Sequence, residues 1–165
     1  MIVLTMVTLM AMGQAGPVQP ITADQAVKAL GGLKGKPRAD QGIMVAAVLE
    51  AARRHKVDPL WLLAVAYAES RHNRKLTGDG GRSFGPFQLT RSAVRAVGMK
   101  VRPKELHKWA VASEVAARFW ARLFKRYGPK VAPVIYNCGP VRCRLRNGKQ
   151  RKNTPATRAY WRAYR

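Results

Sequence analysis

Nine consecutive apolar residues, Leu60-Trp61-Leu62-Leu63-Ala64-Val65-Ala66-Tyr67-Ala68, run directly into Glu69 and Ser70. Asp58-Pro59 before them is a helix start, because Asp caps the first free amides and Pro suits the first turn. A helix that is apolar all round has to be enclosed by protein. The remaining helices must therefore pack around this one, and the chain must bring a carboxyl group to the mouth of its own core. Partial desolvation at such a place favours the neutral acid, and a neutral carboxylic acid can protonate a leaving oxygen. The bland alternative is a helix-end Glu paired at the surface with Arg71 or Arg74, since ion pairs perturb carboxylates too.

The rest of the chain supplies what must surround that helix. Its 165 residues suit one compact domain, and 47% apolar residues suffice for a sizeable core. Thr22 is placed to cap a short helix over Ala23–Leu30, stopped by Gly31-Gly32. Residues 31–41 read as a loop, and Ile43–His55 carries apolar residues at helical spacing. Residues 71–88, rich in Gly, Arg, Asp and Asn, predict a long loop or a small hairpin, and such a loop leaving a core helix is more often functional than not. Thr90 caps a helix to about Val97. Pro103 opens another to about Tyr127, ended by Gly128-Pro129, and a short helix covers Val131–Asn137. A last helix follows Pro155. No internal repeat is visible, and the class is mainly α.

Charge narrows the partners without choosing among them. Thirty-one Lys and Arg against eight Asp and Glu give a formal net charge of +23, which implies a polyanionic partner or tolerance of one. Nucleic acid, anionic membrane and anionic cell-wall polymer all qualify. Cys138 and Cys143 have no second Cys pair and no nearby His, so the pattern does not read as a zinc site. They close a small disulfide loop in an oxidising compartment and stay reduced thiols otherwise. Residues 2–12 are almost wholly apolar, but as a helix they would rise only about 16 Å against a bilayer core of about 30 Å. The run fits a signal-peptide core with cleavage after Ala15, although no Lys or Arg precedes it. The alternative is a docked apolar segment. Residues 16–41 then read as linker and short helix, and no other segment is predicted to span a membrane.

With only eight acids, the search for a catalytic one is short. Asp24 and Asp58 fit helix starts, Asp40 and Glu50 fall in or near polar faces, Glu105 suits a first turn, and Glu114 reads as a solvated helix charge. Glu69 and Asp79 are left. Asp79 has its own bland reading, because Asp-Gly-Gly is turn chemistry.

Ordered motifs then surround Glu69. Glu69-Ser70 is followed by Gly78-Asp79-Gly80-Gly81-Arg82-Ser83-Phe84-Gly85-Pro86-Phe87-Gln88-Leu89, later by Ile135-Tyr136-Asn137-Cys138-Gly139-Pro140, and finally by Thr157-Arg158-Ala159-Tyr160. Over residues 42–165 this resembles the soluble lytic transglycosylase family of the lysozyme-like superfamily, which carries Glu-Ser, Gly-Leu-Met-Gln, Ala-Tyr-Asn-Ala-Gly and Glu-Thr-Arg-x-Tyr in that order. The resemblance implies a mainly α, lysozyme-like catalytic domain with a small hairpin or long loop at its cleft. It implies that Glu69 is the acid/base. Ser70, Ser83, Gly85, Phe87, Gln88, Tyr136, Asn137 and Tyr160 are then expected to bind substrate. Pro86-Phe87 replaces Leu-Met, which keeps an apolar sugar platform in expectation. Cys138 replaces an Ala, which suggests a local addition such as a link to Cys143, and Ala156 replaces a Glu, so the last motif is partial. The Gly78–Gly85 stretch is similar to goose-type lysozyme, where an Asp helps hold the hydrolytic water; Asp79 is the matching carboxylate.

The resemblance implies cleavage of the β-1,4 bond between N-acetylmuramic acid and N-acetylglucosamine, with no metal and no cofactor. It leaves two outcomes open: a 1,6-anhydro product made with Glu69 alone, or hydrolysis with Asp79 holding a water. It also implies glycan strands of peptidoglycan as partner, anionic envelope polymers as a further one, and action at the periplasmic or cell-wall face or from a virion or secretion apparatus. Two other classes compete. The tail from Val141 carries nine Arg and Lys and no acid, with Tyr160, Trp161 and Tyr164 interleaved, as a single-strand nucleic-acid binder would. No nucleic-acid motif accompanies it. A virion or secretion scaffold with the same fold is the third.

Overall fold

The structure is a computed structural model and describes residues 21–31 and 39–142. The apolar start of the chain, the side chain of Cys138 and all of Cys143, Tyr160, the basic tail and its expected last helix lie outside what is described. Helix α1 spans Ala23–Gly31. Thr22 Oγ1 accepts from the Gln25 amide at 3.2 Å and Gln25 Oε1 accepts from the Thr22 amide at 2.8 Å, a reciprocal capping box. Helix α2 spans Gln41–His55 and α3 spans Pro59–Ser70. Asp58 Oδ1 accepts from the Leu60 amide at 2.8 Å, so the start of α3 is the one its residues predict.

Trp61, Leu62, Leu63, Ala64, Val65 and Ala66 of α3 are all buried, as a helix without a polar face requires. Leu62 and Val65 have no exposed surface at all, which is worth roughly 1.5–3 kcal/mol for each side chain. Residues 71–90 form a three-stranded antiparallel sheet, β1 (Thr77–Gly78), β2 (Ser83–Phe84) and β3 (Leu89–Thr90), in that order. Thr77 pairs with Phe84 and Phe84 with Leu89. The expected loop or hairpin is thus a hairpin with one further strand. Thr90 Oγ1 then accepts from the Ala93 amide at 3.2 Å and opens α4, Arg91–Ala96.

Two expectations change from here. Pro103 opens a 3-10 helix, Pro103–His107, rather than one long α-helix. Glu105 Oε2 accepts from the Arg102 amide at 2.9 Å and closes the first turn, and Lys108 is extended at φ −92°, ψ 127°. That break turns Trp109 into the core, where its indole donates to Asp40 Oδ2 at 3.0 Å. Glu114, expected as a solvated charge, is only 18% exposed and accepts from Arg54 at 3.0 Å, His55 at 2.7 Å and Arg118 at 3.3 Å. It ties α2 to α5.

Helical backbone in α5 runs from Trp109 to Arg142, but it is not straight. Trp120 and Tyr136 would stand about 24 Å apart on a straight helix at 1.5 Å per residue. Their rings stack with centroids 4.5 Å apart and planes 15° apart. The reversal falls at Gly128, whose φ is 71°, followed by Pro129 with no amide hydrogen. The helix end expected at Gly128-Pro129 is therefore a fold-back. The return arm lies against the outgoing one, and Trp61, Trp120, Phe124 and Tyr136 make one aromatic cluster.

Candidate active site

Glu69 is half-buried in the last turn of α3, at the edge of the apolar core. The helix ends abruptly behind it. Arg71 and His72 both adopt left-handed backbone, at φ 54° and 59°, and their amides donate to Tyr67 O at 2.8 Å and Ala66 O at 3.3 Å. Non-glycine residues in this region cost roughly 1–2 kcal/mol each, so something must hold them. Buried His72 does part of it: its Nε2 lies 3.0 Å from Leu63 O. A carbonyl only accepts, so Nε2 carries the proton. The Tyr67 and Trp109 rings flank the imidazole at 5.5 and 6.4 Å. His72 was not singled out from the sequence. Its adjacency to the Glu-Ser pair is the only signal the sequence offers.

Ser70 joins the end of α3 to the turn between β2 and β3. Its hydroxyl lies 2.9 Å from both Ala66 O and Pro86 O, and its one proton is shared between them. The next carbonyl of that turn, Phe87 O, accepts from the Tyr136 hydroxyl at 2.6 Å. Two successive carbonyls, Pro86 and Phe87, are thus gripped from opposite ends of the sequence. Tyr136 can reach because α5 folds back at Gly128. Glu69-Ser70, Gly85–Gln88 and Tyr136-Asn137 are brought together in this way, with Asn137 exposed beside half-buried Tyr136.

The turn itself is built on special backbone. Gly85 has φ 72°, and a Cβ there would lie 1.9 Å from Leu106 O, so glycine is required by both conformation and space. Gln88 has φ 46°, and its side-chain amide donates to Gly85 O at 2.8 Å and Leu76 O at 3.3 Å. A Cβ at Gly78 would lie 2.2 Å from Gln88 Oε1, so the missing side chain at residue 78 makes room for that amide. Sparse backbone conformations at Arg71, His72, Asp79 and Gln88 fall within twenty residues of one another, as strain gathered at a functional site does.

Several expected sugar contacts have different surroundings. The Phe87 ring is wholly buried, 6.3 Å from Trp109 in an edge-to-face pair, so it offers no platform to a sugar. The apolar core claims it because the turn points it inward. Ser70 and Ser83 are also buried, and their hydroxyls bond within the protein. Asp79 is exposed, at φ 52° in the β1–β2 turn, and its Oδ2 accepts from Ser83 Oγ. Arg82 Nε donates to Asp79 O at 2.9 Å. The turn chemistry of Asp79 is realised. A cavity of about 370 Å³ lies between α2, the 99–105 segment and α5, lined by Ala51, Arg54, Val101, Val111 and Glu114 among others, and includes none of the motif residues.

Among the described residues no helix is long and apolar enough to cross a membrane. A comparison with the curated proteins finds no match. The family model described as Transglycosylase SLT domain matches residues 46–159, a span that takes in Glu69-Ser70, Gly78–Leu89 and Ile135–Pro140 and stops one residue short of Tyr160.

Proposed function

Since the chain belongs to the Transglycosylase SLT domain family, and is therefore a lytic transglycosylase acting on peptidoglycan, we propose that Glu69 is its single acid/base. The observation that carries this reading is the junction of Ser70 and Tyr136 on the carbonyls of Pro86 and Phe87, next in the chain to half-buried Glu69. In it Glu69 protonates the glycosidic oxygen leaving the β-1,4 bond, and the muramic acid ring passes through an oxocarbenium-like transition state. The carboxylate so formed takes the proton of the C6 hydroxyl, whose oxygen closes on C1. The product is a 1,6-anhydro sugar, and Glu69 is restored to its acid form without water. Asn137 and the Tyr136 side face the substrate in this reading. Ser70, Gly85 and Gln88 position the turn that forms the cleft wall.

Asp79 is a turn residue in this reading. Its positive φ, its Ser83 partner and its place before Gly80 and Gly81 support that role. The hydrolytic alternative rests on the same exposed carboxylate. Peptidoglycan-acting enzymes work at the cell envelope, and the charge of +23 would concentrate this one on anionic envelope polymers, less so at high salt.

Mass spectrometry of digested sacculi tests both points. Wild type and Asp79→Asn are expected to yield anhydro ends, and Glu69→Gln to yield none. Reducing ends from wild type that vanish in Asp79→Asn would establish hydrolysis. Full activity in Glu69→Gln would overturn the assignment of Glu69.

A further inference from the structure

We propose that the outgoing arm of α5 carries a docking surface for a linear polymer of repeating phosphate groups, of the polyol-phosphate kind found in cell envelopes. The surface is a row of cations. Arg118, Arg122, Lys125 and Arg126 stand at i, i+4, i+7 and i+8, which keeps them within about a 100° arc at 3.6 residues per turn. All four are exposed, while Ala116, Trp120 and Leu123 on the other side of the helix are buried. Successive members of the i, i+4 series are about 6 Å apart along the axis, so the row presents charge at regular intervals along a line.

The row is not cancelled by its surroundings. Glu114, the one acid of this helix, stands a turn before Arg118 and is already bonded by Arg54, His55 and Arg118. It holds Arg54 of α2 at the end of the row. Arg122 and Lys125 have no ion pair among the described residues. The chemistry of the row selects among polyanions. Among the described residues, the aromatic ring next to the row is half-buried Tyr127, and Arg126 lies over one of its faces at 5.4 Å, which leaves little of it for stacking bases. No exposed apolar side chain stands among the four to enter a bilayer, and the large exposed ones among the described residues, Val27 and Ile43, belong to α1 and α2. Evenly spaced charge with little aromatic or apolar surface beside it among the described residues favours a phosphate polymer without bases. None of the four residues belongs to the motifs around Glu69. The inference rests on the envelope as the site of action given above.

The test is binding of the full chain, carrying Glu69→Gln so that turnover plays no part, to purified poly(glycerol phosphate) over a series of salt concentrations. The triple variant Arg122→Gln, Lys125→Gln, Arg126→Gln is compared with a control that removes three exposed cations elsewhere, Arg91→Gln, Arg95→Gln, Lys104→Gln. Losing three phosphate contacts is expected to flatten the slope of log K against log salt by about two, with the control changing it far less. Without Glu69→Gln, the row variant is expected to cleave soluble, phosphate-free glycan strands as wild type does. Equal losses in both triple variants would mean that net charge alone acts, and would overturn the proposal. So would tighter, row-dependent binding to duplex DNA or to anionic phospholipid vesicles at equal phosphate concentration. The binding result stands whatever Glu69→Gln does to catalysis, so the two readings fail separately.

Discussion

Gly85→Ala is the perturbation whose cost the structure fixes most tightly. A methyl group at residue 85 would sit 1.9 Å from the Leu106 carbonyl oxygen and 2.8 Å from its carbon, and both are backbone atoms that no rotamer change can move. Alanine must also hold φ 72°, at roughly 1–2 kcal/mol. Relieving the overlap means shifting the β2–β3 turn or the 3-10 helix, at about 1–3 kcal/mol for overpacking. The sum, roughly 2–5 kcal/mol, is a large part of a domain's marginal stability of about 5–15 kcal/mol. Thermal unfolding followed by circular dichroism should show a fall in Tm of about 2–4 °C for each kcal/mol. Gly80→Ala is the control: its φ is 62°, but a Cβ there meets nothing within 4 Å. It isolates the backbone cost from the clash. The same two variants should differ in lysis of a cell-wall suspension, because the turn that moves in Gly85→Ala is the one gripped by Ser70 and Tyr136. If the two variants lower Tm equally, the close approach of residue 85 to Leu106 is not what the backbone distances imply.

Two further outcomes follow from the site and its margins. Tyr136→Phe keeps the ring stacked on Trp120 and loses the bond to Phe87 O, so stability should fall by about 1 kcal/mol while peptidoglycan cleavage falls by more than that loss of folded protein explains. Unchanged cleavage would remove Tyr136 from the site. The Arg102 amide, and then its guanidinium, hold the Glu105 carboxyl below its ordinary value of 4.5. A depressed folded value stabilises the protein above that pH and is lost as pH falls through the lower one. Glu105→Gln should therefore flatten the acid limb of a Tm–pH profile, and an unchanged limb would refute the capping role of the carboxylate.

The α3 helix, its Asp58 cap and its enclosure could be read in the sequence because each depends on neighbours a few residues away. The same holds for the Thr22 and Thr90 caps and for the stop at Gly128-Pro129. Local chemistry placed the carboxyl of Glu69 at the mouth of the core and ordered the motifs around it. What local chemistry could not supply was direction. The Phe87 ring reads as an apolar platform in any list of residues, yet the turn on Gly85 and Gln88 sends it inward against Trp109. Glu114 reads as a solvated charge until α2 and α5 pack and bring Arg54 and His55 to it from sixty residues away. Tyr136 reaches the Phe87 carbonyl only because α5 doubles back on itself. Caps, breaks and apolar runs are settled by bonds within one turn of chain, so the sequence by itself determined them. The meeting of Ser70, Phe87 and Tyr136 depends on which faces pack, and only the tertiary structure decided it.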